Sequence, residues 1–192
     1  MGTLPTTPLH AIWAAWALWL LSWMLAAGWT ARVANRPVLG SQTAYHLITI
    51  AGVALLFART TYNEGLLGPA GWAMFALVAV GLTFCWWARL HLGAMWSGTV
   101  TRKDDHQIIE SGPYGLVRHP IYTGIILAAW AHAAVLDALN GFLGAALMTV
   151  GFYIKARLEE GFLRQELGPE AYDGYRRRVP MLIPWRLLSQ RR

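Results

Sequence analysis

Leu9 to Thr30 is a run of 22 residues without one Asp, Glu, Lys or Arg. A helix of about 20 apolar residues crosses the hydrocarbon core of a bilayer, so this stretch already limits what the chain can fold into. Four more apolar runs follow, at about 42–58, 70–89, 120–138 and 140–158. One short apolar run could be a buried soluble helix, but five in one chain read as a polytopic membrane protein. Composition agrees: 14% of the 192 residues are charged, against about 25% in soluble domains. Twenty of the 26 charged residues fall in 93–118 and 155–192. An ordinary soluble globule, a disordered chain and a disulfide scaffold are excluded. The single Cys85 can form neither an internal disulfide nor a cysteine-rich metal site, and it reads as a packing residue. The first ten residues contain no Lys or Arg, so the opening run lacks the basic start of a signal peptide and is expected to remain as a helix.

Basic residues near span ends set orientation, because positive loops stay in the cytoplasm. Arg32 and Arg36 follow span 1; Arg89, Arg102, Lys103 and Arg118 lie in or beside the segment between spans 3 and 4; nine more run from Lys155 to Arg192. Only Arg59 falls on the other side. The expected topology has the N-terminus outside, the C-terminus inside, and both charge-rich segments on the cytoplasmic face. Asp137 to Gly141 is turn-like and joins spans 4 and 5 as a tight hairpin. His46 and His132 within spans read as packing or hydrogen-bonding residues, and the eleven Trp as interfacial anchors and packing.

The first polar segment shows short extended character at Thr99–Thr101 and Gln107–Ile109, with a turn expected over Arg102–Asp105. Ser111-Gly112-Pro113 is a second turn. His119 precedes a proline and is expected to be extended, and Pro120 suits the first position of a helix, so span 4 starts at the membrane surface. Helix N-termini bind anions through unsatisfied N–H groups. The second segment carries span 5 onward as a helix in which Lys155 and Glu159 share a face, while Leu158, Phe162 and Leu163 mark another. Gly168-Pro169 ends it and starts a helix over 169–178, closed by Arg176-Arg177-Arg178, which reads as an anchor to anionic lipid. No glycine-rich dinucleotide loop, Ser-His-Asp spacing or metal-ligand spacing appears, and no nucleic-acid partner is expected. From the residues alone the reading stops at a membrane protein with a polar cytoplasmic pocket between spans 4 and 5 and their flanks.

The strings His106-Gln-Ile-Ile-Glu-Ser-Gly-Pro-Tyr114, Arg118-His-Pro-Ile-Tyr122-Thr-Gly124, Glu159-Glu160-Gly-Phe-Leu163 and Leu167-Gly-Pro-Glu-Ala-Tyr-Asp-Gly-Tyr175 run on into Arg178-Val-Pro180. In this order, across roughly 93–184, they resemble the isoprenylcysteine carboxyl methyltransferase family. Phospholipid N-methyltransferases and thiol S-methyltransferases share much of the pattern. The resemblance implies an all-α integral membrane enzyme with five spans. Residues 1–92 would form three N-terminal helices and 93–192 the catalytic region. It implies S-adenosylmethionine in the cytoplasmic pocket, contacted by His106, Gln107, Ile108, Ile109, Tyr114, His119, Pro120, Ile121, Tyr122 and Glu159, with Thr99 a looser match. Lys155 stands where the family often has the arginine that holds the substrate carboxylate; Arg157 is the alternative, and Arg118 joins them as a candidate catalytic cation. The acceptor would be a lipophilic small molecule or lipid-linked group, and no metal is required. A carboxylate acceptor leads; a phospholipid amine or a thiol is the alternative, and a transporter or scaffold the remote one.

Overall fold

The computed structural model describes residues 7–28, 33–35, 40–58, 66–93, 102–103 and 108–185. Within them the chain is almost wholly helical: α1 (Pro8–Leu25), α2 (Gly40–Phe57), α3 (Gly68–Leu92), α4 (Pro113–Leu116), α5 (Pro120–Leu136), α6 (Leu139–Leu167) and α7 (Pro169–Arg178). Helices α1, α3 and α6 are long and apolar enough to cross a membrane; α5 and the Gln42–Phe57 part of α2 are shorter apolar helices. Leu18, Leu21, Leu25, Leu47, Ile50 and Leu143 are all exposed, and a water-soluble monomer rarely displays large contiguous apolar patches. Hydrocarbon is the solvent this exterior suits.

Local chemistry sets the ends of these helices. Prolines occupy the first positions of α1, α3, α4, α5 and α7, where the missing N–H is not needed. Asp137, at φ +47°, ends α5 in the left-handed region, a position that Asp and Asn tolerate better than most side chains. Asn140 in the first turn of α6 donates from Nδ2 to the carbonyls of Leu55 and Ala58, at 3.0 and 2.9 Å. It thereby satisfies the exposed C-terminal carbonyls of α2. The tight hairpin expected at Asp137–Gly141 is present. Gly168, at φ +93°, makes the break between α6 and α7.

Packing depends on close backbone approach. A Cβ on Gly124 would stand 2.4 Å from the Gly81 carbonyl oxygen, and a Cβ on Gly144 would stand 2.6 Å from the Leu56 nitrogen. Small residues therefore bring α3 against α5 and α2 against α6, as in membrane helix pairs generally. Around the first contact Ile12, Val78, Leu82, Ala128 and Val135 form one apolar cluster; Leu56, Cys85, Ala129, Ala133 and Met148 form a second.

One local expectation is corrected. Arg102 and Lys103 do not turn; they form a short strand, β2, paired antiparallel with β1 (Val33–Asn35). The pairing joins two segments far apart in the sequence, a contact that no local propensity signals. Thr99–Thr101 and Asp104–Gln107 lie outside the described residues.

Candidate functional site

Polar side chains converge where α5 begins, against the last three turns of α6. His119 caps α5 at φ −123° and ψ 64°, so it departs from the fully extended conformation expected of a residue before proline. Its buried imidazole lies between two carboxylates: Nε2 donates to Glu160 Oε1 at 3.2 Å, and Nδ1 is 3.6 Å from Glu159 Oε2. Tyr122, in the first turn of α5, donates from its hydroxyl to the same Glu159 Oε2 at 2.6 Å. The His119 and Tyr122 rings stack at 5.2 Å and 8°, and Phe152 of α6 continues the stack at 5.2 Å. Lys155 Nζ stands 5.1 Å from the centroid of the Tyr122 ring. Four residues from α6 thus meet Tyr122 of α5 and its cap His119 in one cluster.

A second layer holds this cluster in place. Arg118 Nε donates to Glu160 Oε1 at 2.8 Å, and both side chains are almost fully buried. Arg118 also donates to the carbonyls of Arg176 and Val179. The backbone of 180–182 then lies along the start of α5: the Arg118 amide donates to the Pro180 carbonyl at 2.8 Å, the His119 amide to that of Met181 at 3.1 Å, and the Thr123 hydroxyl to that of Leu182 at 2.7 Å. The chain after α7 is therefore a strap across the site's edge. Tyr172, Tyr175 and Val179 pack with Ile108 and Leu163 beneath it, and Tyr175 donates to the Tyr114 carbonyl at 2.8 Å. Burial pushes the phenols of Tyr114, Tyr172 and Tyr175 well above their ordinary range, so all three stay neutral.

Of the residues singled out from sequence, His119, Tyr122, Glu159 and Lys155 come together. Pro120 and Ile121 belong to the same turn, and Ile108 and Tyr114 line the neighbouring layer. Ile109 is half-buried on the approach to α4. Arg157 is exposed; two residues from Lys155 on a helix is about 200° of rotation, so it lies off the cluster's face. Thr99, His106 and Gln107 lie outside the described residues. Two participants were not singled out. Glu160 holds both Arg118 and His119, and its place beside Glu159 in the quoted string was the available signal. Tyr45 of α2 lies 5.8 Å from Lys155 Nζ, and nothing local to its sequence indicated that. Among the described residues no three His, Cys, Asp or Glu are grouped to hold a metal ion.

The donor set fits an amphoteric cofactor such as S-adenosylmethionine. Glu159 offers carboxylate oxygens for hydroxyl or ammonium groups. The start of α5, without a side-chain cap, offers amide N–H groups to a carboxylate. The aromatic faces of Tyr122 and Phe152 suit a sulfonium charge.

Residues 73–165, from α3 through α6, match the model of the isoprenylcysteine carboxyl methyltransferase family. The resemblance read from the sequence strings is borne out over this stretch. The chain is 48% identical over 73 residues to methanethiol S-methyltransferase 1 of Bradyrhizobium diazoefficiens, covering 38% of this chain and 25% of that protein. It is 32% identical over 84 residues to the protein-S-isoprenylcysteine O-methyltransferase of Schizosaccharomyces pombe, covering 43% and 35%. It is 31% identical over 111 residues to a probable protein-S-isoprenylcysteine O-methyltransferase of Oryza sativa subsp. japonica, covering 57% and 52%. The aligned stretches thus span from a quarter to about half of these relatives' lengths.

Proposed function

We propose that this chain is an S-adenosylmethionine-dependent methyltransferase of the membrane, acting on an anionic group of a lipophilic acceptor that arrives from the bilayer. The observation that carries the reading is a division of charge on α6. Glu159 accepts from the Tyr122 hydroxyl, and Lys155 Nζ, one turn earlier on α6, stands 5.1 Å from the centroid of the same ring. A carboxylate for the cofactor and a cation for the acceptor are thereby kept one helical turn apart.

Bound at Glu159 and the start of α5, the cofactor supplies an electrophilic methyl group on a sulfonium. The protein's own work is alignment. Holding two reactants at near-attack distance supplies about 7–11 kcal/mol of the barrier without any covalent intermediate. Lys155 orients the acceptor anion by charge-assisted hydrogen bonding. Arg118 and Glu160 act as positioning residues that keep His119 and the strap in register. The surrounding apolar helices keep bulk water from the site.

A carboxylate acceptor, ionised at neutral pH, needs no base, and this is the first reading. A thiol is the second, favoured by the methanethiol S-methyltransferase names among the relatives. A thiol must lose its proton, and His119, oriented through Nε2 by Glu160, is the imidazole beside the site that could accept it. The family match and the basic-residue asymmetry support five spans with the pocket on the cytoplasmic side, residues 93–192 forming the catalytic region.

The test is product chemistry. Purified protein is incubated with methyl-labelled S-adenosylmethionine and a membrane lipid extract. A base-labile labelled ester supports the carboxylate, and a base-stable labelled thioether supports the thiol. No labelled product, with active controls, rejects methyl transfer to either.

A further inference from the structure

Helix α2 meets α6 antiparallel, along glycines spaced seven apart. A Cβ on Gly144 would collide with Leu56, and one on Gly151 would stand 2.2 Å from Thr49 Oγ1. Running the same contact one turn further, from Thr49 back to Tyr45 and from Gly151 on to Lys155, brings the phenol ring to the ammonium. Tyr45 is only 2% exposed, and its ring centroid is 5.8 Å from Lys155 Nζ. Its hydroxyl donates to Gln42 Oε1 at 3.0 Å, and Gln42 is itself buried. The Tyr122 ring approaches the same ammonium from α5 at 5.1 Å. Lys155 is therefore held between two aromatic faces from two different helices.

We propose that Tyr45, tethered by Gln42, is a positioning residue that confines the Lys155 ammonium against Tyr122 and so fixes where the acceptor's anion binds. The proposal deepens the methyltransferase reading and rests on it for the acceptor's role. A lysine stem has four rotatable bonds and directs an anion poorly by itself. Two ring faces attract the ammonium electrostatically, and their placement restricts the ammonium to the arc between them. The acceptor site is then built jointly by α2, α5 and α6, so a residue 110 positions before Lys155 sets its geometry. If Tyr45 were only interface filler, its loss would alter stability while leaving the surroundings of Lys155 and the acceptor affinity untouched.

The chain has two lysines, Lys103 and Lys155, which makes the clamp directly observable. Reductive methylation with labelled carbon keeps the charge and gives each lysine an NMR signal; a Lys103→Arg background isolates Lys155 from all but the N-terminal amine. The Lys155 signal is expected upfield from ring currents, to stay there in Tyr45→Phe, and to move toward the position of a free lysine in Tyr45→Leu. The acceptor KM is expected to rise about 2- to 30-fold in Tyr45→Leu, with the loss carried in KM rather than kcat, and to be restored in Tyr45→Phe. Affinity for S-adenosylhomocysteine is expected to hold throughout. If Tyr45→Leu does not fold, Gln42→Leu frees the ring and carries the same prediction at smaller amplitude. A Lys155 signal or an acceptor KM unmoved in the folded variant overturns the proposal. Absence of S-adenosylhomocysteine binding in the parent protein would instead overturn the methyltransferase reading, and the resonance would still report on the clamp.

Discussion

His119 and His132 lie thirteen residues apart on or beside one helix, and both are buried, yet they live in different chemistry. His132, in the middle of α5, has no hydrogen-bond partner at either ring nitrogen among the described residues and packs edge-on to Phe57 at 5.0 Å. His119 is bracketed by Glu159 and Glu160, stacked on Tyr122, and tied through its amide to the strap at Met181. Nearby in the apolar interior, the Trp16 and Trp19 indole nitrogens are also without partners. Two regions of one bundle thus follow two rules. The interior is held by shape, through glycines and small side chains, and tolerates an isolated polar atom. The end of the bundle is held by a bonded network in which nearly every polar atom has an assigned partner. Burial of a histidine marks no site by itself; the company it keeps does.

The contrast breaks most sharply at Glu160. Glu160→Leu leaves Arg118 and His119 buried without their shared carboxylate, and removing one member of a buried ion pair costs about 3–5 kcal/mol. Thermal unfolding in detergent is expected to show a large drop in Tm, with the 180–182 strap opened to proteolysis. A Tm within a few degrees of the parent would mean that the network is not holding this end together.

The interior answers to size instead of charge. Gly124→Val puts branched carbon where the Gly81 carbonyl and Cys85 Sγ already stand. Overpacking of this kind costs about 1–3 kcal/mol. Reduced folded yield and a lowered Tm are expected, with Gly124→Ala intermediate; a neutral valine would show that α3 and α5 are free to separate.

A charged pair outside both regions gives the control. Arg164 and Asp173 form a two-pronged exposed pair between α6 and α7, screened by water. Arg164→Ala is expected to leave Tm unchanged, and a marked drop would show that α7 docks through this pair instead of through Tyr172 and Tyr175.

Much of this division was legible in the sequence. The apolar runs, the Asp137 turn and the Gly168-Pro169 break follow from hydropathy and backbone preference, and each appears within a few residues of its expected position. The Lys155–Glu159 face follows from helical spacing alone. What was not legible depends on distant approach. Arg102 and Lys103 were expected to turn because charge and Asp favour turns locally; pairing with Val33–Asn35 overrode that. Tyr45 joins Lys155 only because Gly144 and Gly151 admit α2 to the surface of α6, and a seven-residue glycine spacing does not name the partner helix. Helical spacing points to Glu159, which shares the Lys155 face, whereas Glu160 turns about 100° further toward Arg118, a partner that spacing does not name.

Glu159, at the polar end of α6, is the proposed anchor of the cofactor, and calorimetric titration of S-adenosylhomocysteine into the purified protein reads that role most directly. Saturable binding is expected in the parent. A charge-assisted hydrogen bond contributes about 1.5–3 kcal/mol, so Glu159→Gln is expected to weaken binding by roughly 10- to 150-fold, while Lys155→Met keeps it near the parent value. Equal affinity in Glu159→Gln and the parent, or equal loss in both variants, would contradict the division of roles on which the whole reading is built.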